Sequence, residues 1–199
     1  MEPSWRERWE EINAADESPA YQIELLRALV RDAPESAAGW RRLGSALSEL
    51  SRFGEAMDAL QRAQALAEPG RLVFVYCDTG ELLRHRGDDA AAEAWFRKAI
   101  DHDADDAQGY IYLGAMLARR GRLSEAEGVH RRATQCRKGC LDEAWHNLGL
   151  VLRALERYDE ALECFERAMA VDPQYKDARL AKRDVAKVLR LRAATGAAT

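Results

Sequence analysis

Apolar residues recur along the chain at intervals of three and four positions, the spacing of one face of an α-helix. The clearest case is the stretch from Trp145 to Pro173, where apolar and small residues form two amphipathic stripes separated by a turn. Stripes of this length predict two helices that each bury one face. The residues of the pattern are Trp145, Leu148, Gly149, Leu152, Tyr158, Ala161, Phe165, Ala168 and Pro173.

The same pattern recurs three times upstream, and all of its columns share one irregular set of separations. A glycine column is separated by 36, 34 and 35 residues, and four further columns keep those separations. Because five independent columns share the spacing, the chain is built of internal repeats. The columns are Gly44, Gly80, Gly114 and Gly149; Trp40, Tyr76, Tyr110 and Trp145; Leu47, Leu83, Leu117 and Leu152; Ala56, Ala92, Ala126 and Ala161; and Ala63, Ala99, Ala133 and Ala168.

An aromatic residue, a Leu-Gly pair and a later Ala, Phe and Pro at these offsets resemble the tetratricopeptide repeat. The resemblance implies an all-α fold, a right-handed α-solenoid of antiparallel helix pairs. A single helix pair cannot bury its own apolar face, so neighbouring pairs are expected to stack. We expect Gly149 and Ala161 to let two helix backbones approach each other, with Phe165 among the side chains that fill the space around them.

We interpret residues 1–199 as one domain of about five repeats. The first repeat is degenerate because it lacks the glycine column, and it is expected to cap one end of the stack. In the fourth repeat, Gly128 lies inside a helix and His130 fills the column of Leu60, Phe96 and Phe165. The predicted segments are 4–34, 37–70, 73–106, 107–140 and 142–175 for the repeats, 176–192 for a capping helix with its stripe at Ala178, Ala181, Val185 and Val188, and 193–199 for a flexible tail.

Composition excludes several classes of protein. With 47% hydrophobic and 32% charged residues the chain is typical of a globular protein, and its net charge of -4 argues against binding to nucleic acid or an anionic membrane. The charged start of the chain has no apolar signal-peptide core, and no apolar run approaches a membrane span. We therefore expect a cytoplasmic protein, and Met1 together with the loose tail favours a complete chain.

Catalytic motifs are absent from the sequence, so no enzyme activity, cofactor or metal is predicted. One alternative is a zinc or redox site formed by His130, Cys136, Cys140 and His146, against which free thiols are favoured because the C-x-x-x-C spacing is wrong for a zinc knuckle. The acidic run 101–106 lacks the glycine and glutamate of a calcium loop, which favours an Asp105 or Asp106 helix cap instead.

The resemblance also implies a concave groove, lined by the first helix of each repeat, that holds a segment of another protein. Aromatic residues and arginines at such positions are typical of binding hot spots, and they favour a partner segment with acidic and apolar side chains or a free C-terminal carboxylate. Of the carboxylate-binding residues in some family members only Asn147 has a counterpart, so that clamp is not supported. The predicted partner-binding residues are Arg41, Arg42, Phe74, Arg84, His85, Ile111, Tyr112, Arg119, His146, Asn147 and Arg153.

These expectations together predict a non-enzymatic scaffold, adaptor or chaperone. In the opposing interpretation of the groove, its arginines only form salt bridges with Glu49, Asp78 and Glu81. An alternative function is self-association into a homo-oligomer through an end helix or the second helix of the fourth repeat. A third is a metal- or redox-responsive module at Cys136 and Cys140.

Overall fold

A computed structural model describes residues 18–195, and this part of the chain is helical with no β-strand. The all-α prediction is thereby confirmed, while residues 4–17 of the predicted first repeat lie outside the described residues. The α-helices are α1 Pro19–Asp32, α2 Ala37–Glu49, α3 Phe53–Leu66, α4 Leu72–His85, α5 Asp89–His102, α6 Ala107–Arg119, α7 Leu123–Ala133, α8 Leu141–Ala154, α9 Tyr158–Val171 and α10 Lys176–Thr195.

The chain divides into two compact units, of which the first ends at Ala99 and the second begins at Ile100. In the first unit α2 packs against α1 and α3, and α4 packs against both α2 and α3. In the second unit α8 packs against all four of its neighbours, α6, α7, α9 and α10. Within each unit the first helix of a repeat therefore contacts both its own second helix and the first helix of the next repeat, as α2 does with α3 and α4, which is how helix pairs share a core.

Each glycine of the repeat column lies against one large side chain from the second helix of its own repeat. A Cβ built on Gly149 would lie 2.6 Å from Cε1 of Phe165, and one built on Gly44 would lie 2.6 Å from Cγ of Leu60. Phe165 and Leu60 are fully buried. The glycine column therefore makes room for this side chain. A Cβ built on Gly44 would also lie 3.2 Å from the backbone oxygen of Ala56, which belongs to the same column as Ala161.

The turns between the two helices of a repeat use a left-handed backbone at one position. Gly87 and Gly121 have φ values of 88° and 74° there, whereas Ser51 and Glu156 hold the same position with φ values of 59° and 61°. Only glycine adopts this conformation without steric cost. The backbone is therefore strained in two of the four turns, those that have Ser51 or Glu156 at this position.

In the second unit the second helices are joined by charged side chains. The guanidinium of Arg157 contacts Glu127 at 2.7 Å, and the guanidinium of Arg131 contacts Glu160 at 3.2 Å. Arg157, at the N-cap of α9, also pairs with Glu160 at 2.6 Å, so the four residues form one network. These exposed pairs fix the register of α7 against α9 more than they add stability.

The last helix is longer than expected. α10 buries Ala178, Ala181 and Val185 as its predicted stripe requires. It continues to Thr195, so residues 193–195 are helical and not part of a flexible tail, which is a correction to the predicted boundary. Alanine, leucine and arginine dominate its last turns, and these are strong helix formers.

Candidate functional site

In the first unit, the predicted groove residues of α2 and α4 are tied to one another by charge. The guanidinium of Arg41 contacts the carboxylate of Asp78 at 2.6 Å, and only 13% of the Asp78 side chain is exposed. Burial raises the pKa of Asp78, while Arg41 acts in the opposite direction. Arg41 and Asp78 thus form a half-buried pair that holds α2 against α4.

A cleft of about 550 Å³ opens beside this pair. Phe74 lines it, and the guanidinium groups of Arg41 and Arg71 each lie 5.9 Å from the centroid of the Phe74 ring. A cation over an aromatic face is attracted by the ring quadrupole. The lining residues are Glu35, Ser36, Ala37, Ala38, Arg41, Leu66, Ala67, Glu68, Arg71, Phe74 and Val75.

Further along α4, the side chain of Arg84 already forms hydrogen bonds within the protein. Its guanidinium donates two hydrogen bonds to Glu81, at 2.8 and 2.7 Å, and lies 2.7 Å from Nε2 of His85. Nδ1 of His85 lies 3.1 Å from the hydroxyl of Ser48 on α2. Arg84 and Arg41 therefore form the salt bridges of the opposing interpretation, and the face of this unit is less cationic than its sequence indicates.

In the second unit a cleft of about 320 Å³ is lined by residues of α6, α7 and α8. Two of the predicted residues, Arg119 and Asn147, line it, while Tyr112 is half-buried and Arg153 is exposed outside the lining. Small and aliphatic side chains make up most of its wall. The lining residues are Ala115, Ala118, Arg119, Leu123, His130, Asn147, Leu150, Val151 and Ala154.

Two of the predicted contact residues are covered by the protein itself. Ile111 is 2% exposed and packs with Tyr110 and Ala144 in a core cluster of this unit. His146 is 9% exposed, with its Nδ1 3.3 Å from the hydroxyl of Tyr175. Neither offers the exposed side chain that a partner contact needs, so placing them in the groove was wrong. Cys77 on α4 is likewise buried.

Arg42 differs from the other arginines of this face. It is half-buried, and its pKa is lowered by burial and by the neighbouring charge of Arg41. Like-charge repulsion from Arg41 disfavours the charged form of Arg42. An anion that approached α2 would relieve this repulsion.

A column of cations on the second helices was missed by the sequence interpretation. Arg62 lies 4.7 Å from the ring centroid of Trp40, and Lys98 lies 4.4 Å from that of Tyr76. In both repeats the cation follows the aromatic residue by 22 positions, and Arg132 and Arg167 keep this offset. This constant offset could have identified the column of cations from the sequence.

The thiols are distributed between core and surface. Cys136 is buried, with its Sγ 3.5 Å from the carbonyl oxygen of Arg132, while Cys140 is exposed. Among residues 18–195 no group of three or more His, Cys, Asp or Glu side chains has an arrangement that holds a metal ion. In the acidic run, Asp106 caps α6 by accepting a hydrogen bond from the backbone N–H of Gln108 at 2.9 Å, as expected.

No helix within the described residues has the length and apolar character to cross a membrane.

Helix pairs with a shared core and clefts on their first helices define a class of helical-repeat proteins. Three segments of the chain match models of the tetratricopeptide repeat: residues 23–70, 107–139 and 142–175. Together they cover more than half of the chain, and the chain belongs to the tetratricopeptide repeat family. Members of this family are scaffolds and adaptors for protein interactions.

Known proteins of this family share sequence and fold with the chain. Human tetratricopeptide repeat protein 7A is 29% identical over 133 residues, which are 67% of this chain and 15% of that protein. Yeast Tom70 shares the fold with a TM-score of 0.78 at 13% identity, over 90% of this chain and 38% of Tom70. YrrB, described as a TPR protein with an unusual peptide-binding site, has a TM-score of 0.53 at 20% identity, over 83% of this chain and 84% of its own.

The chain spans only a small part of several curated relatives that it matches. It covers 15% of the human protein, 22% of tetratricopeptide repeat protein 8 from Caenorhabditis elegans and 9% of an Arabidopsis thaliana CTR9 homolog. The similarity is therefore one of repeat architecture.

Proposed function

We propose that this chain is a non-enzymatic adaptor or chaperone that binds a segment of a partner protein on the first helices of its repeats. The observation that supports this function is that predicted groove residues line a cleft in each unit. These are Arg41 and Phe74 in the first unit, and Arg119 and Asn147 in the second. Aromatic residues and arginines provide large contact area and fork-shaped hydrogen bonding at interfaces.

The chemistry of the partner segment follows from the clefts. The cleft of the second unit has an apolar wall with a few polar side chains, the usual composition of a site that buries part of a ligand. The cleft of the first unit is more charged, with Glu35, Arg41, Glu68 and Arg71 in its lining. In the second unit Arg119 is the only lining residue with a formal charge. An acidic and apolar segment is therefore the best match in that unit, and the first unit, whose arginines are largely paired with Asp78 and Glu81, contributes apolar contact around Phe74.

A charge-reversal pair tests the proposal. Arg119→Glu places a negative charge in the cleft of the second unit, whereas Arg183→Glu makes the same change on α10, where the side chain is 63% exposed. We expect Arg119→Glu to reduce capture of the natural partner from native cell extract at least tenfold, and Arg183→Glu to leave it unchanged. Equal capture by both variants, with unchanged helicity, would refute binding at this cleft.

Self-association is a second candidate because α10 exposes large apolar side chains. Leu180 is 47% exposed and Leu191 is 66% exposed. A second copy that covered this helix would bury both side chains. Light scattering across a hundredfold range of protein concentration measures the molar mass and so tests this candidate. A mass that rises with concentration supports self-association, and a constant monomer mass excludes it.

A further inference from the structure

The last helix of the second unit has one exposed face that carries two large apolar side chains. α10 packs on α8 and α9, and it buries Ala178, Ala181 and Val185. On another face, Leu180 is 47% exposed and Leu191 is 66% exposed. The two leucines are three helical turns apart, so they stand about 16 Å from each other on one side of the helix.

This face is the open end of the stack of first helices. Ala178 and Val185 are buried, like the residues 34 positions before them on α8. The same step relates Leu180 to His146, which Tyr175 covers in the structure. Leu180 is exposed because α10 is the last helix of the described residues. Another helix is therefore the kind of element that fits this face.

A second helix packed as α9 packs on α8 does not fit α10. The step of 34 residues places Arg183 at the position of Gly149. Even a Cβ at Gly149 would lie 2.6 Å from the ring of Phe165 on α9. An arginine at that position leaves no room for such a contact, so the repeat pattern gives α10 no second helix of its own.

The exposed face has the same order of side-chain types when it is followed from either end. An acid and a base, Asp184 and Lys187, stand between Leu180 and Leu191, and the helical period places all four within about 60° around the helix. The two charged side chains are 55% and 60% exposed, and their nearest approach is 3.4 Å. Both pairs are centred between residues 185 and 186. We call these four residues the α10 stripe.

We propose that the α10 stripe pairs with the same stripe of a second copy of this chain, in antiparallel orientation about a two-fold axis. Leu180 then packs on Leu191 of the second copy, and Asp184 faces Lys187 of the second copy. A two-fold interface needs such a self-complementary surface, because each of its contacts occurs twice. The opposite charges fix the orientation and register of the two helices.

This proposal rests on the self-association candidate of the proposed function and does not depend on binding to the first-helix clefts. One helix pair is a small interface, so we expect a weak dimer with a dissociation constant in the micromolar range. Arg183 and Arg190 border the stripe and are exposed. The like charges that they bring together lie at the rim, where water and salt screen them.

Two complementary charge variants of the full chain test the pairing. Asp184→Lys places lysine opposite lysine in the antiparallel dimer, and Lys187→Asp places aspartate opposite aspartate. In sedimentation equilibrium we expect each variant alone to dimerise at least tenfold more weakly than the parent. In an equimolar mixture, the lysines of one variant face the aspartates of the other, and the affinity of the parent should return. Asp101→Lys, at an exposed position of α5, is the matched control and should dimerise as the parent does.

The mixture separates contact between copies from effects within one chain. Any change in the stability of α10 is the same in a variant alone and in the mixture, so recovery reports the pairing itself. Dimers that each variant retains, or a mixture as weak as either variant, would overturn the antiparallel pairing and leave self-association standing. A parent of constant monomer mass would end both self-association and this inference, while partner binding on the first helices would be unaffected.

Discussion

The tight fit between Gly149 and Phe165 makes a quantitative prediction. In Gly149→Ala the new Cβ would lie 2.6 Å from Cε1, 2.9 Å from Cδ1 and 3.0 Å from Cζ of Phe165. The ring has little room to move, because it is fully buried among Leu148 and Leu152. Overpacking of this kind costs about 1–3 kcal/mol. Alanine also gains about 1 kcal/mol over glycine in a helix, so we expect a net loss of about 0–2 kcal/mol.

Gly128 in the same unit supplies the control. It lies inside α7, and a Cβ built there would meet no heavy atom within 4 Å. Gly128→Ala therefore receives the helix-propensity gain alone and should be about 1 kcal/mol more stable than the parent. The propensity term cancels between the two variants, so their difference of about 1–3 kcal/mol measures the overpacking.

Urea unfolding followed by far-ultraviolet circular dichroism measures both variants. We expect the midpoint of Gly149→Ala to lie below that of Gly128→Ala with little change in the m-value. Because repeat arrays do not always unfold in a two-state manner, hydrogen exchange of the α9 amides gives a second, local reading. If Gly149→Ala proved as stable as Gly128→Ala, the glycine column would have no packing role, and the reasoning would be refuted.

Three further predictions concern single residues. Ser51→Gly should raise the unfolding free energy by about 1 kcal/mol in urea titration, because it relieves a left-handed backbone at φ 59°. The His130 pKa of about 4 lies below the unfolded value of about 6.5, so the unfolded state binds the proton first. His130 should therefore contribute a loss of about 3 kcal/mol as the pH drops from about 6.5 to about 4, and calorimetry should find the loss of stability smaller by about this amount in His130→Phe. Native alkylation with mass spectrometry should modify Cys140 well before Cys164, since Cys140 is exposed and burial raises the pKa of Cys164 to about 11.

Repetition explains how much of the fold can be predicted from the sequence. The columns through Gly149 and Phe165 each contain one residue from four repeats. Agreement among four repeats rarely arises by chance, so the helix pairs can be identified from the sequence. The column of Leu60, Phe96, His130 and Phe165 was likewise recognised, although its direct contact with the glycines was not. Which atoms meet across a helix crossing depends on side-chain direction, which periodicity does not specify.

The predicted site was only partly correct for a related reason. Register places Ile111 and His146 on the same helix face as the groove, but it does not indicate how far a neighbouring side chain reaches. Ala144 and Tyr175 cover them. Arg71 was missed because it is one of two extra residues between the repeats 37–70 and 73–106. It therefore has no equivalent position in the other repeats. The clefts depend on such local packing, which the sequence does not specify.

Site-specific photocrosslinking tests most directly whether the partner binds to the first helices. A benzoylphenylalanine at Ala118 would lie in the cleft of the second unit, and one at Ala170 would lie on an exposed position of α9. After irradiation in native cell extract, we expect one partner protein to be joined to the Ala118 variant and not to the Ala170 variant. Crosslinks that form from Ala170 and not from Ala118 would contradict binding on the first-helix face.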